Sequence, residues 1–387
     1  MTLQLSPPDP SPPTRTATAV RDEAALAVAS QRRLLWWRFR RHRLAMLGLV
    51  VTVLLYLTAA FAEFLAPYPA GYLDAEYTFA PPQRLHVVQT GPDGWDWGLY
   101  TYGYTVRQDP ETFALTYEVD PQQRIPVGLF VRGEPYRLFG FIETDRHLFG
   151  PIDPDAPPVY LLGADRLGRD LLSRLIYGTR VSMSIGLVGV AVAFLLGILL
   201  GGVSGYFGGR VDTLIQRLVE FFTSLPTLPL WMGLAAAIPR DWGPLTRYFA
   251  ITVVLAMIAW TALAREVRGR FLALRTEDFV TAARLDGAGH SRIIFGHMLP
   301  SVTSHLIATV TLAVPAMILA ETALSFLGLG LQAPVVSWGV LLQDAQAIRV
   351  IASAPWLLIP GLAVVVAVLA LNFLGDGLRD AADPYRR

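Results

Sequence analysis

The sequence predicts an all-α polytopic membrane protein with six transmembrane helices and a β-rich insertion between the first two. Three observations predict it. The chain is 53% hydrophobic and only 16% charged, with a mean hydropathy of +0.43, which is a membrane profile. Six apolar stretches are long enough to cross ~30 Å of hydrocarbon. Between the first and second lies a long polar stretch rich in Pro, Gly and aromatics.

Residues 1–30 are rich in Pro, Ser, Thr and Ala and read as a disordered tail with room for a short helix around Asp22–Ser30. No secretory signal is expected, because the first apolar run starts only near Leu44 and is too long for one. Residues 31–66 are a basic flank and the first span. Arg32, Arg33, Arg38, Arg40, Arg41 and Arg43 precede the apolar run Leu44–Leu65, with Trp36 and Trp37 among them. Such a flank places the N-terminus in the cytosol.

Residues 67–161 read as a β-rich domain outside the membrane. Thr112–Val119, Val127–Val131 and Tyr136–Ile142 have strand character. The last two form a hairpin around Arg132-Gly133-Glu134-Pro135. Trp95, Trp97, Tyr100, Tyr102 and Tyr104 suit a half-buried sheet face or a docking face for a soluble partner. Residues 162–182 read as an interfacial amphipathic helix. Asp165 is placed to cap it, and Leu171, Leu172, Leu175 and Ile176 form its apolar face.

Residues 183–375 hold the remaining spans. These are Met183–Gly202, Leu214–Ile238 (broken by Pro226 and Pro229), Tyr248–Ala264, Val302–Ala320 and Trp356–Leu374. Residues 376–387 form a cytosolic tail. With both termini cytosolic, seventeen arginines fall on inner flanks and loops against three (Arg240, Arg247, Arg349) on short outer loops, as the positive-inside rule requires.

Composition also excludes functions. There is no cysteine and no lysine, hence no thiolate chemistry, no Schiff base and no lysine-bearing phosphate loop. A net charge of +1 gives no case for nucleic acid. The histidines show no metal-ligand spacing and the aspartates no acid–base pairing. The chain itself is expected to be neither an enzyme nor a cofactor or metal protein.

The polar loop 265–300 stands out between two apolar spans. Thr276 is a candidate helix cap, Glu277 and Asp278 suit a first helical turn, and Phe279, Ala282, Ala283 and Leu285 follow at helical spacing. Gly287 permits a turn, Ser291 can cap a second short helix, and Pro300 suits the start of the next. This is a helix–turn–helix bracket with two small alanines. It resembles the "EAA" loop of ATP-binding-cassette (ABC) importer permeases: Glu-Ala-Ala, three residues, Gly, nine residues, an apolar position, any residue, then Leu-Pro. Thr281-Ala282-Ala283, Gly287 and Leu299-Pro300 match that spacing. Thr281 replaces the Glu and His297 the apolar residue, so a carboxylate contact is missing there. The segment Leu162–Ser182, with Asp165, Arg169 and Asp170, and the ending Leu371–Pro384 resemble the smaller permease of dipeptide, oligopeptide and nickel importers.

The resemblance covers residues 32–387 and implies a type I ABC importer permease fold in a bacterial inner membrane. It implies that Thr281, Ala282, Ala283, Gly287, Leu299 and Pro300 couple to two separate ATPase subunits, which bind ATP and Mg. It further implies a second homologous permease, an extracytoplasmic solute-binding protein and a peptide substrate. Glu321, near the outer end of the fifth span, is a candidate gating or interface residue, or an interfacial carboxylate with water and backbone partners; Asp165 and Arg169 join it as candidates. Pro226, Pro229, Pro315 and Pro360 mark bends or tolerated kinks. Nickel or another small solute is an alternative cargo. An ion-coupled secondary transporter would show paired mid-membrane charges, of which the sequence has few. A receptor would carry a cytosolic signalling domain, whereas only thirteen residues follow Leu374.

Overall fold

The computed structural model describes residues 31–382 other than 92, 93, 112, 114 and 240. The tail 1–30 with its short helix, Thr112, Arg240, Arg386 and Arg387 lie outside the described residues.

Helix α1 (Gln31–Arg41) ends on Arg38, Arg40 and Arg41. His42 then caps α2 (Arg43–Ala60), its Nδ1 accepting from the Ala45 amide at 3.1 Å. The buried side of α2 is made of small groups, Ala45, Gly48, Thr52 and Ala59. That side packs against the last helix, as small residues allow. A short helix α3 (Ala62–Leu65) closes the span. Arg180 pins this end, donating to the Ala59 carbonyl at 2.7 Å and pairing with Glu63.

Four antiparallel strands follow in the order β1 (His86–Gly91), β2 (Gly94–Gln108), β3 (Leu115–Leu138) and β4 (Ile142–Pro151). The long β3 pairs with β2 through its first half and with β4 through its second. The hairpin turn is not at Arg132–Pro135. Those residues lie within β3, at a register shift between Arg132 and Tyr136, and the chain reverses at Phe139–Phe141. Pro135 therefore marks a bulge, one of the few places a strand accepts proline. The aromatics of β2 divide: Tyr100 and Tyr104 are buried, while Tyr102 is half-buried. Tyr68, Tyr77, Tyr104 and Tyr160 form a tyrosine core with Ala80 and Ala164. Three of the hydroxyls meet backbone groups: Tyr104 donates to the Pro81 carbonyl at 3.1 Å, Tyr160 to Gly168 at 2.9 Å, and Tyr68 accepts from the Val159 amide at 2.7 Å.

No separate interfacial helix spans 162–182. Residues 161–170 are turns, and one continuous helix, α4 (Leu171–Phe207), begins where the interfacial element was expected. Its cap is Asp170, which accepts from Leu172 and Ser173 amides at 3.3 and 2.7 Å; Asp165 lies ahead of the helix. The apolar face Leu171–Ile176 is simply the first turn and a half of a longer buried helix.

Next come α5 (Gly209–Ser224) and α6 (Thr227–Ala236), bent by 88° at the break. Pro226 occupies the N-cap of α6, where it ends the previous helix and starts the next. Then follow α7 (Pro244–Leu274), α8 (Asp278–Leu285), a wide π-type turn over Arg292–Met298, and α9 (Leu299–Phe326). Two short helices, α10 (Trp338–Gln343) and α11 (Ile348–Ser353), precede α12 (Ile359–Ala382). Among the described residues, five stretches are long and apolar enough to cross a membrane, and six if the bent pair counts as one span. The main core joins α4, α7, α9, α10 and α12 through Met183, Ile185, Leu255, Ile318, Trp338 and Leu371.

Candidate functional site

The loop between α7 and α9 folds back on the bundle. Val280 and Ala283 of α8 turn inward and pack with Val267, Phe271, Ile293 and Met298. Ala282, Thr281 and Arg284 turn outward, with Phe279 and Leu285 beside them. Leu285 is 83% exposed and Phe279 42%, so the outward side of α8 carries apolar surface. Only one of the two alanines is therefore available to a partner: Ala283 is 8% exposed and belongs to the core.

Thr276 does not cap α8. Its hydroxyl donates back to Ala273 at 3.2 Å, and Glu277 holds the cap position. Ser291 likewise makes no side-chain cap. Gly287 adopts φ +77° directly after α8, and the Ala288 amide returns to Ala283 at 3.0 Å. A side chain with a Cβ is strained in that conformation. Pro300 sits in the first turn of α9, with Leu299 half-buried before it.

The bracket is lashed to three helices. The Tyr206 hydroxyl and His290 Nδ1 lie 2.9 Å apart, and Arg284 stacks over the Tyr206 ring at 5.3 Å. Arg268 grips Asp212 through Nε at 2.5 Å and Nη2 at 2.6 Å, which ties α7 to α5. His305 pairs with Glu266, and Thr309 donates to the same carboxyl at 3.0 Å. Packed side chains thus join α8 to α4, α7 and α9.

The remaining candidates gather around α10. Asp165 accepts from Arg169 Nε at 2.8 Å and pairs with Arg174. Asp344, at the C-terminal end of α10, pairs with Arg166 Nε at 3.0 Å, and its Oδ2 lies 3.8 Å from both Arg169 and Arg174. Burial pushes the Asp344 carboxyl above the usual carboxylate range against the pull of those arginines. At the other end of α10, Ser337 is the N-cap. Its hydroxyl and that of Ser325 each donate to Glu321 Oε1 at 2.7 Å. The Trp338 amide donates to Ser182 of α4 at 3.0 Å. Glu321 is fully buried, so it is not an interfacial carboxylate. It and the Asp165–Arg169 pair hold opposite ends of one short helix. Only Ser325, four residues from Glu321, is placed there by helical spacing. Arg174, Ser182, Ser337 and Asp344 come from distant stretches. Among the described residues there is no group of three or more His, Cys, Asp or Glu able to hold a metal ion.

The family described as "Binding-protein-dependent transport system inner membrane component" matches residues 193–387, half of the chain. The N-terminal TM domain of oligopeptide transport permease C matches residues 30–82. The dipeptide transport system permease protein DppC of Bacillus subtilis strain 168 is 40% identical over 227 residues, covering 58% of this chain and 68% of the relative. The oligopeptide transport system permease protein OppC of Haemophilus influenzae is 38% identical over 261 residues, covering 67% and 81%. A chain from the inward-facing MetNI methionine ABC transporter superposes with a TM-score of 0.43 at 19% identity, over 55% of this chain and 98% of that one. This is a multi-pass membrane transport subunit. The chain belongs to the family of inner membrane components of binding-protein-dependent transport systems. The four strands fall within 83–192, between the two matched regions.

Proposed function

We propose that this chain is the smaller permease subunit of an ATP-driven peptide importer with the type I ABC importer fold. It forms half of the translocation pathway, and a second, homologous permease forms the rest. Of two ATPase subunits, one docks on the outward face of α8 and the other on the second permease, and hydrolysis belongs to them, with ATP and Mg bound there. A soluble binding protein delivers peptide from the outer side, where the four-stranded sheet stands. Both termini are cytosolic, in keeping with the arginine distribution. The names of the matching relatives support the peptide cargo.

The mechanism follows from the bilayer. A peptide's charged ends and backbone make unaided transfer through hydrocarbon too costly, so the spans supply a polar path open to one side at a time. Thr281 and Ala282 meet the ATPase, while Ala283, Gly287, Leu299 and Pro300 hold the bracket that passes its motion to α7 and α9. Glu321, Asp165 and Arg169 act on the other side, setting the position of α10 at the outer mouth.

The observation that carries the reading is the exposed, partly apolar face of α8 on a rigidly tethered bracket. Co-purification from native membranes tests it. Ala282→Arg and Leu285→Arg are expected to release the ATPases while the permease keeps its melting temperature. Ala283→Arg is expected to lower that temperature itself. Retention of the ATPases by the first two variants would move the contact elsewhere. Purification without any ATPase, with solute movement driven by an ion gradient alone, would overturn the importer mechanism.

A further inference from the structure

We propose that the β3–β4 hairpin tip, Leu138-Phe139-Gly140-Phe141-Ile142, is a membrane anchor seated among the outer-leaflet lipids beside the first span. The inference takes the spans as read above and concerns a segment outside both family matches.

The tip reaches back to the spans. Phe139 meets Phe61, the residue after α2, edge to face with ring centroids 5.4 Å apart. Phe139 and Gly140 share a groove of about 430 Å³ with Tyr56, Ala60, Ser184 and Leu187. Two lengths give the depth. From Arg43 to Phe61 is eighteen steps, ~27 Å at ~1.5 Å each. From Leu187 to the inner end of α4 at Phe207 is twenty steps, ~30 Å. Both put the groove at the outer edge of a hydrocarbon layer ~30 Å thick.

The residue choice fits lipid. The turn has φ +54° at Phe139 and +82° at Gly140, a geometry that ordinarily takes Asn-Gly. Phenylalanine stands there against local preference. Phe141 is 75% exposed. Just behind the tip, Arg137 and Glu143 face each other across the hairpin and pair at 2.7 Å, both well exposed. An apolar tip with a charged collar matches a layer whose hydrocarbon gives way to headgroups.

The tip also continues the exposed stripe of α2. Leu47, Val50, Leu54, Leu57 and Phe61 are exposed at three- and four-residue spacing and lead to Phe139. That stripe carries no small residue, whereas the packed side of α2 is Ala45, Gly48, Thr52 and Ala59. Helix partners in membranes select small residues, so the large aliphatic stripe suits acyl chains rather than a second permease. The span is also the least buried of the five, with 17% of its apolar window covered.

The chain has no cysteine, so single-cysteine variants of it, assembled in nanodiscs with partner subunits whose own cysteines are replaced, test the proposal directly. Phe141→Cys, Leu54→Cys and Asp145→Cys are labelled with bimane and quenched either by aqueous iodide or by lipids carrying a nitroxide high on the acyl chain. The expected result is that the probe at 141 behaves like that at 54, losing iodide quenching and gaining lipid quenching, while 145 does the reverse. Iodide quenching at 141 equal to that at 145 overturns the anchor. Shielding at 141 from both quenchers, lifted when the other subunits are removed, overturns it in favour of a protein partner. Iodide access at 54 would instead overturn the span assignment, and the anchor with it.

Discussion

The hydroxyl of Ser337 lies 2.7 Å from Oε1 of Glu321, so the residue that caps α10 is held by a buried carboxyl near the end of α9. Ser325 donates to the same oxygen and accepts from the Leu331 amide at 3.0 Å. Ser337 in turn accepts from Val340 at 3.2 Å. The carboxyl thus orders the backbone from 325 to 340 through hydroxyls that each face both ways. Glu321→Ala leaves two buried hydroxyls short of an acceptor, at about 1–3 kcal/mol each. Glu321→Gln retains one carbonyl oxygen. The melting temperature in detergent should fall further for alanine than for glutamine, and the transport rate should follow the same order. Equal melting for all three proteins would remove this role.

Gly287 offers a second test. At φ +77°, an alanine costs about 1–2 kcal/mol and asparagine less. A Cβ there meets no atom within 4 Å. Gly287→Ala should therefore loosen the end of α8 without harming the bundle. Amide hydrogen exchange over 283–290 should speed up, with ATPase coupling reduced, and Gly287→Asn should fall in between.

Helix packing gives a pair of glycines with opposite expectations. A Cβ on Gly201 would lie 2.9 Å from Ala264 Cα, where α4 crosses α7, whereas one on Gly269 meets nothing within 4 Å. Gly201→Val should cost about 1–3 kcal/mol by forcing the helices apart. Gly269→Ala should stabilise α7 by up to about 1 kcal/mol. Thermal melting of the two variants would separate a close-approach glycine from a replaceable one.

Asp170 predicts a pH dependence. Burial pushes its carboxyl from 3.8 up to about 6, against the pull of the Ser173 and Leu172 donors. A raised folded pKa means that folding favours the protonated form. The contribution is fully present below about pH 4 and is lost as pH rises through about 6, with an order of magnitude near 3 kcal/mol. The protein should melt higher at about pH 5 than at about pH 7.5. Asp170→Asn keeps a capping oxygen and should flatten that difference. An unchanged slope in the variant would assign the dependence to another group.

Much of the helical framework was legible because hydrocarbon imposes a simple demand: an unbroken apolar run with arginines at its ends. Arg38–Arg43 before α2, Pro226 at the break between α5 and α6, and Pro300 at the start of α9 are local signals of that kind. The bracket was legible for the same reason, since Gly287 needs only its own backbone to express its role. The misplaced features depended on distant partners. Asp165 reads as a cap in isolation, yet Arg174 and Asp344 place it in an ion-pair cluster, and the cap passes to Asp170. The Gly-Glu-Pro stretch at 133–135 reads as a turn, yet pairing with β4 carries the strand through it as a bulge.

The sequence by itself determined that this chain crosses a membrane several times, where most crossings fall, and that a polar helical bracket interrupts them. Those properties follow from hydropathy, charge and backbone preference, which each segment carries alone. Only the tertiary structure decided that Ala283 faces the core and Ala282 faces outward, that Glu321 and Asp344 hold opposite ends of α10, and that Phe139 returns to Phe61. These are relationships between residues far apart in the chain, and packing alone selects which of many compatible partners each one meets.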